Sequence, residues 1–158
     1  MRKNEFFYSL KLGLGLSLII LAAAPPVLAT LGGPSDSIKS DASAFQGARR
    51  TVRARRNYTV HQITSAAITI REYVSPEGVV FGVAWNGVLG PDLTKLLGGY
   101  AGEYREARRQ MPRMHGRRPL RVKTDNIVVE KWGHMRDIHG RAYVPALLPA
   151  GVSASEIR

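Results

Sequence analysis

The spacing of apolar and polar positions changes several times along the chain. "LGLGLSLIILAAA", Leu12 to Ala24, has no period and no charge. At 13 residues it is shorter than the ~20 needed to span a bilayer. Ile38, Ala42, Phe45 and Val52 then fall on one helical stripe, and Ser35 or Ser37 can cap it. From Tyr58 the period drops to two. Tyr58, Val60 and Gln62 alternate with Thr59, His61 and Ile63. Ile68, Ile70, Glu72 and Val74 alternate with Thr69, Arg71 and Tyr73. Val79, Phe81, Val83 and Trp85 alternate with Val80, Gly82 and Ala84. These are three strands, the last two joined by Ser75-Pro76-Glu77-Gly78, where Pro sets the first turn φ and Gly supplies a positive one.

Pro91 and Asp92 suit the first turn and positive end of a helix whose apolar stripe runs from Leu93 through Leu97, Tyr100 and Tyr104 to Met111. Gly98, Gly99 and Gly102 lie inside it, so it either kinks or packs closely on a sheet. Pro112 ends it. Leu120–Lys123 and Ile127–Lys131 read as strands, the second leading through Trp132-Gly133 into His134–Ile138. His139-Gly140 reads as a turn into Arg141–Val144. The expected architecture is α+β. A mostly antiparallel sheet of five or six strands carries one main helix packed on it, with an N-terminal helix beside that. The chain divides into a signal segment (1–29), an amphipathic helix with a basic segment (30–56), an α+β core domain (57–150) and a tail (151–158).

Four segments carry a resemblance: "YTVHQI" (Tyr58–Ile63), "REYVSPEGVVFGVAWNG" (Arg71–Gly87), "PDLTKLLGGY" (Pro91–Tyr100) and "GHMRDIHGRAYVPALLPAGVSASEIR" (Gly133–Arg158). In this order they resemble a family of small exported proteobacterial proteins defined only as a domain of unknown function. The resemblance implies a one-domain envelope protein and assigns no activity, cofactor or site residue.

The N-terminal composition fits export. Arg2, Lys3 and Lys11 form a basic start, the apolar run follows, and "PPVLA" offers cleavage after Ala29. With no twin-Arg pair, the general secretory route to the periplasm or beyond is expected. The chain has no Cys, which removes disulfides, thiolate metal sites and a Cys nucleophile.

Charge adds the strongest unusual signal. The chain carries 23 Lys+Arg against 12 Asp+Glu, a net +11. "RRTVRARR" holds Arg49, Arg50, Arg53, Arg55 and Arg56, and a second basic stretch contains Arg117 and Arg118. Arg presents a planar fork suited to phosphate or carboxylate. The expected partner is another envelope component or an anionic surface, either lipid headgroups or an acidic glycan. Nucleic acid is not expected, because no aromatics interleave the basic residues in a recognition pattern.

Catalytic signatures are sparse. No G-x-S-x-G occurs, and no phosphate-loop context surrounds Gly98–Gly102. No enzymatic activity or cofactor is expected. The alternative reading is a small metal-dependent enzyme or metal-binding protein built on His134, Asp137 and His139, whose imidazole and carboxylate mix suits Zn or Cu. Their offset puts the two His on opposite faces of a continuous strand, so only a turn between them would unite them. Trp85 reads as core, and Trp132, beside Gly133, as the exposed aromatic.

Overall fold

Period-two alternation gives strands over most of the stretches where it occurs, and one more strand forms where a helical stripe is expected. The computed structural model describes residues 30–35, 49–112 and 119–158. Within them lie β1 (Arg49–Ala54), β2 (Thr59–Thr64), β3 (Ile68–Val74), β4 (Val80–Gly87), β5 (Leu120–Lys123), β6 (Val128–His134) and β7 (Asp137–Tyr143). They make one seven-stranded sheet in the order β1-β2-β3-β4-β7-β6-β5, antiparallel throughout. The sheet therefore has seven strands where five or six are expected. The addition is β1: the backbone of Arg49–Ala54 is taken up by β2, with Val52 opposite His61. Val52 thus belongs to a strand, while Ile38, Ala42 and Phe45 of the expected N-terminal helix lie outside the described residues.

The main helix is broken. α1 (Leu93–Leu97), capped by the Asp92 side chain on the Thr94 N–H at 2.9 Å, gives way at Gly98 to one 3-10 turn, and α2 (Ala101–Gln110) follows. Gly98 has φ +52°, and a Cβ there would meet Thr30 at 2.6 Å. Gly99 and Gly102 would meet nothing within 4 Å. The kink, not close packing on the sheet, explains Gly98; nothing in the structure requires Gly99 or Gly102.

Both helices cover one face of the sheet. Leu96, Leu97 and Ala101 pack there with Val83, Trp85 and Val129. Leu31 joins this core through its N–H to Leu96 O at 3.0 Å. The opposite face holds a second core of Tyr73, Phe81, Ala84, Val128, Tyr143 and Ile157. A C-terminal segment covers it, with 3-10 turns at Pro145–Leu147 and Ala154–Glu156. The second turn is closed by a Ser153–Glu156 capping box. Residues 151–158 are therefore docked structure rather than a loose tail: Ile157 is fully buried, seated where a Cβ on Gly82 would approach its Cδ1 to 2.8 Å. With both faces covered, Val80 to Trp85 are buried at every position.

Two register details depart from simple alternation. Between Tyr73 and Val74 the pairing with β4 shifts, so that Val74 faces Val80 and Tyr73 faces Gly82. That bulge turns Phe81 to the face opposite Val83 and Trp85, where uninterrupted alternation would have kept the three together. The β6–β7 turn falls at Met135-Arg136, not at His139-Gly140. Gly140 lies inside β7 opposite Lys131 and Trp85.

Candidate anion-binding groove

The register across the sheet lays one rung of side chains on the face that carries the C-terminal segment. Gln62 pairs with Arg71, Arg71 with Ala84, Ala84 with Arg141, Arg141 with Glu130 and Glu130 with Arg121. At one end the charges are matched. The Arg141 Nε donates to Glu130 at 2.6 Å, and Arg121 pairs with the same carboxylate at 3.1 Å. Arg141 Nη1 also donates to Ala154 O at 2.9 Å, holding the C-terminal segment down. At the other end Arg71 faces Ala84 and no carboxylate. Its Nη1 donates to Asn86 Oδ1 at 2.8 Å.

Beside Arg71, between β1–β3 and the C-terminal segment, opens a groove of about 490 Å³. Arg53, Arg55, Gln62, Arg71, Tyr73 and Arg158 line it. Tyr73 fixes its floor: the hydroxyl donates to Arg158 O at 2.7 Å and accepts from Arg158 N at 3.0 Å. Glu156 is the one acidic side chain on the wall, and it is already engaged. Its carboxylate accepts from Ser153 N at 2.9 Å and from the Tyr58 hydroxyl at 3.0 Å. Those bonds, the Ser153 N–H first, hold its pKa below the ordinary carboxylate value. Among the described residues Arg53, Arg55 and Arg71 form no ion pair with Asp or Glu. A concave wall on which guanidinium groups outnumber one engaged carboxylate favours an anion.

A family model described as a protein of unknown function (DUF2844) matches residues 27–157. The chain belongs to that family. No curated protein and no solved structure matches it.

Only part of the expected basic site of this DUF2844 protein assembles in the groove. Arg53 and Arg55 line it, while Arg56 is exposed in the β1–β2 turn. Arg50 does not belong to it. Its Nη2 donates to His61 Nδ1 at 3.0 Å on the helix-covered face, and its buried Nε has no hydrogen-bond partner among the described residues. Strand alternation is the reason, since Arg50 and Arg53 leave β1 on opposite faces. His61 is pushed below its ordinary pKa, by burial first and by Arg50 second. Arg49 belongs to β1, whereas Arg117, Arg118 and the Ala29 cleavage position lie outside the described residues.

In the DUF2844 fold the β6–β7 turn does bring His134, Asp137 and His139 to one face, since His134 and Asp137 close the hairpin as a pair. Asp137 Oδ1 lies 2.8 Å from His139 Nε2, and Oδ2 lies 3.7 Å from His134 Nε2. Each carboxylate oxygen is turned toward one imidazole, so the three groups satisfy one another instead of facing a shared centre. Among the described residues no group of three or more His, Cys, Asp or Glu has the arrangement to hold a metal ion. Nor is any helix among them long and apolar enough to cross a membrane.

The groove also uses residues that sequence reasoning did not select: Arg71, Gln62, Tyr73 and Arg158. Arg71 had a visible signal, being the one cation of a strand that carries it beside Glu72 among mainly apolar residues. Arg158 had none, because only the docking of Ile157 brings it back to β3.

Proposed function

We propose that this protein is exported and non-catalytic, and that it binds an anionic group of another envelope component in the groove at Arg53, Arg55 and Arg71. The observation that carries this reading is that Arg53, Arg55 and Arg71 line one recess without an ion pair among the described residues, while its one acidic side chain, Glu156, is held by Ser153 and Tyr58. Arg53 and Arg55 are exposed and Arg71 is half-buried, and unlike Arg121, Arg141 and Arg109, which pair with Glu130 and Glu106, none of the three pairs with an acidic side chain among the described residues. Export rests on the sequence of residues 1–29, with its basic start, apolar run and Ala29 cleavage position.

The test is salt-dependent binding to an anionic polymer such as oligogalacturonate, by calorimetry at about 50 and 300 mM salt. Wild-type protein binds more weakly at the higher salt. The triple variant Arg53→Gln, Arg55→Gln, Arg71→Gln loses roughly tenfold or more in affinity, as expected for charge-assisted contacts. Equal binding by the two proteins removes the groove from the account. N-terminal sequencing of protein recovered from the producing cell tests export: the mature chain begins at Thr30, and a retained Met1 would contradict cleavage.

A further inference from the structure

The groove is one end of a longer polar strip on the same face of the sheet. Asn86, which accepts from Arg71, also walls a second hollow of about 220 Å³ with Thr69, Arg136 and Asp137. Past that hollow lies Trp132, 39 % exposed. Its ring is stacked on His139 with centroids 5.9 Å apart and planes 8° from parallel. The register makes this one rung: Trp132 opposite His139, His139 opposite Asn86, Asn86 opposite Thr69 and Thr69 opposite Thr64. Four strand spacings separate its ends, roughly 19 Å.

The rung has an ordered chemistry. At one end the half-exposed Trp132 ring is stacked with that of His139, which is tied in turn to Asp137 at 2.8 Å. In the middle stand the neutral hydrogen-bonding side chains Asn86 and Thr69, and Thr64 ends the rung, with Gln62 of the next rung donating to its hydroxyl at 3.1 Å. Alongside them lie Arg71, Arg53 and Arg55. Arg136, in the two-residue β6–β7 turn, adopts φ 67° at the rim of the second hollow, a region where a residue other than Gly is strained.

We propose that the strip binds an acidic oligosaccharide. A sugar ring lies with its C–H face on Trp132, ring hydroxyls bond to Asn86, Thr69 and Gln62, and carboxylates of neighbouring rings sit in the groove against the guanidinium groups. This rests on the anion-binding reading of the groove and gives its occupant a class. Charge complementarity selects the acid, and the aromatic platform beside neutral hydrogen-bonding groups selects the sugar. A bilayer offers phosphates in a plane, which suits neither the recess nor the polar surroundings of Trp132.

The experiment uses the full chain as the cell processes it. Three probes are titrated: oligogalacturonate, the same oligomer with its carboxylates methyl-esterified, and phosphatidylglycerol vesicles. Trp85 is buried and Trp132 exposed, so an emission change on binding reports Trp132. The acidic oligomer binds saturably and shifts that emission, while the esterified oligomer binds at least tenfold more weakly. Trp132→Ala weakens binding by about tenfold, and Trp132→Phe, which keeps a ring face, recovers most of the loss. Arg71→Gln weakens binding and flattens its salt dependence. Loss in Arg71→Gln with full affinity in Trp132→Ala overturns the strip and leaves the groove standing. Vesicle binding without oligomer binding overturns the sugar in favour of lipid headgroups. No binding to either by wild type overturns both readings.

Discussion

Trp85 lies across the backbone of Gly140, its cross-strand partner, and its six-membered ring fills the space a side chain at 140 would need. A Cβ there would overlap Trp85 Cζ2 and crowd Glu130 O at 2.8 Å. The largest fully buried side chain of the domain is thus admitted by a glycine on the neighbouring strand.

Gly140→Ala is therefore expected to destabilise the fold by roughly 2–4 kcal/mol, through overpacking against backbone and an immobile ring. Gly102→Ala is the contrasting case. Gly102 is exposed in α2 with nothing near its missing Cβ, and the change should stabilise by about 0.5–1 kcal/mol. Urea unfolding of both variants gives the comparison, and equal effects would contradict it.

Sealing of the second core depends on Ile157 and Tyr73. Ile157→Ala should cost about 2–4 kcal/mol, because the pocket over Gly82 cannot collapse onto a sheet backbone. Tyr73→Phe should cost about 1–2 kcal/mol by leaving both backbone groups of Arg158 without their hydroxyl. Unfolding midpoints measure both. If the first variant is as stable as wild type, the segment does not seal that face in solution.

His61 makes stability pH-dependent. A guanidinium can only donate, so Nδ1 accepts from Arg50 and the ring is neutral in the fold. Its folded pKa lies below 6.5 because of burial and, second, Arg50. As pH falls through 6.5, the unfolded chain gains a proton that the folded chain refuses, and stability declines until the folded value is passed. His61→Gln should flatten that part of a stability–pH curve. An unchanged slope would assign the dependence to other groups.

Arg136 gives a prediction of opposite sign. Arg136→Gly relieves the positive φ of the β6–β7 turn and should stabilise by about 0.5–1 kcal/mol. A loss of stability would mean that the Arg side chain holds the hairpin together more than its backbone strains it.

Much of this fold is legible in the sequence because β2 and β3 keep strict alternation, β4 keeps it past its bulge at Phe81, and Pro76–Gly78 dictates one turn. β1 escapes such reading. Its Arg side chains carry no apolar signal, and only the free edge of β2 makes it a strand. The β6–β7 turn escapes for a related reason: Gly140 looks like a turn residue, yet its lack of a side chain serves Trp85. Arg53 and Arg55 stand out in the sequence by charge density alone, and both line the groove. Arg71 and Arg158 join them through register and C-terminal docking, which are long-range relations that no local window contains.

The order of the sheet has one more consequence. β4 is flanked by β3, which precedes it directly, and by β7, which arrives only after α1, α2, β5 and β6. A chain delivered from its N-terminal side completes β1–β4 early and then holds Phe81 to Trp85 on an open edge with both faces bare. That half-built sheet is the sticky species a holdase chaperone would meet. Its exposure ends only when β7 zips onto β4 and Ile157 closes the last face.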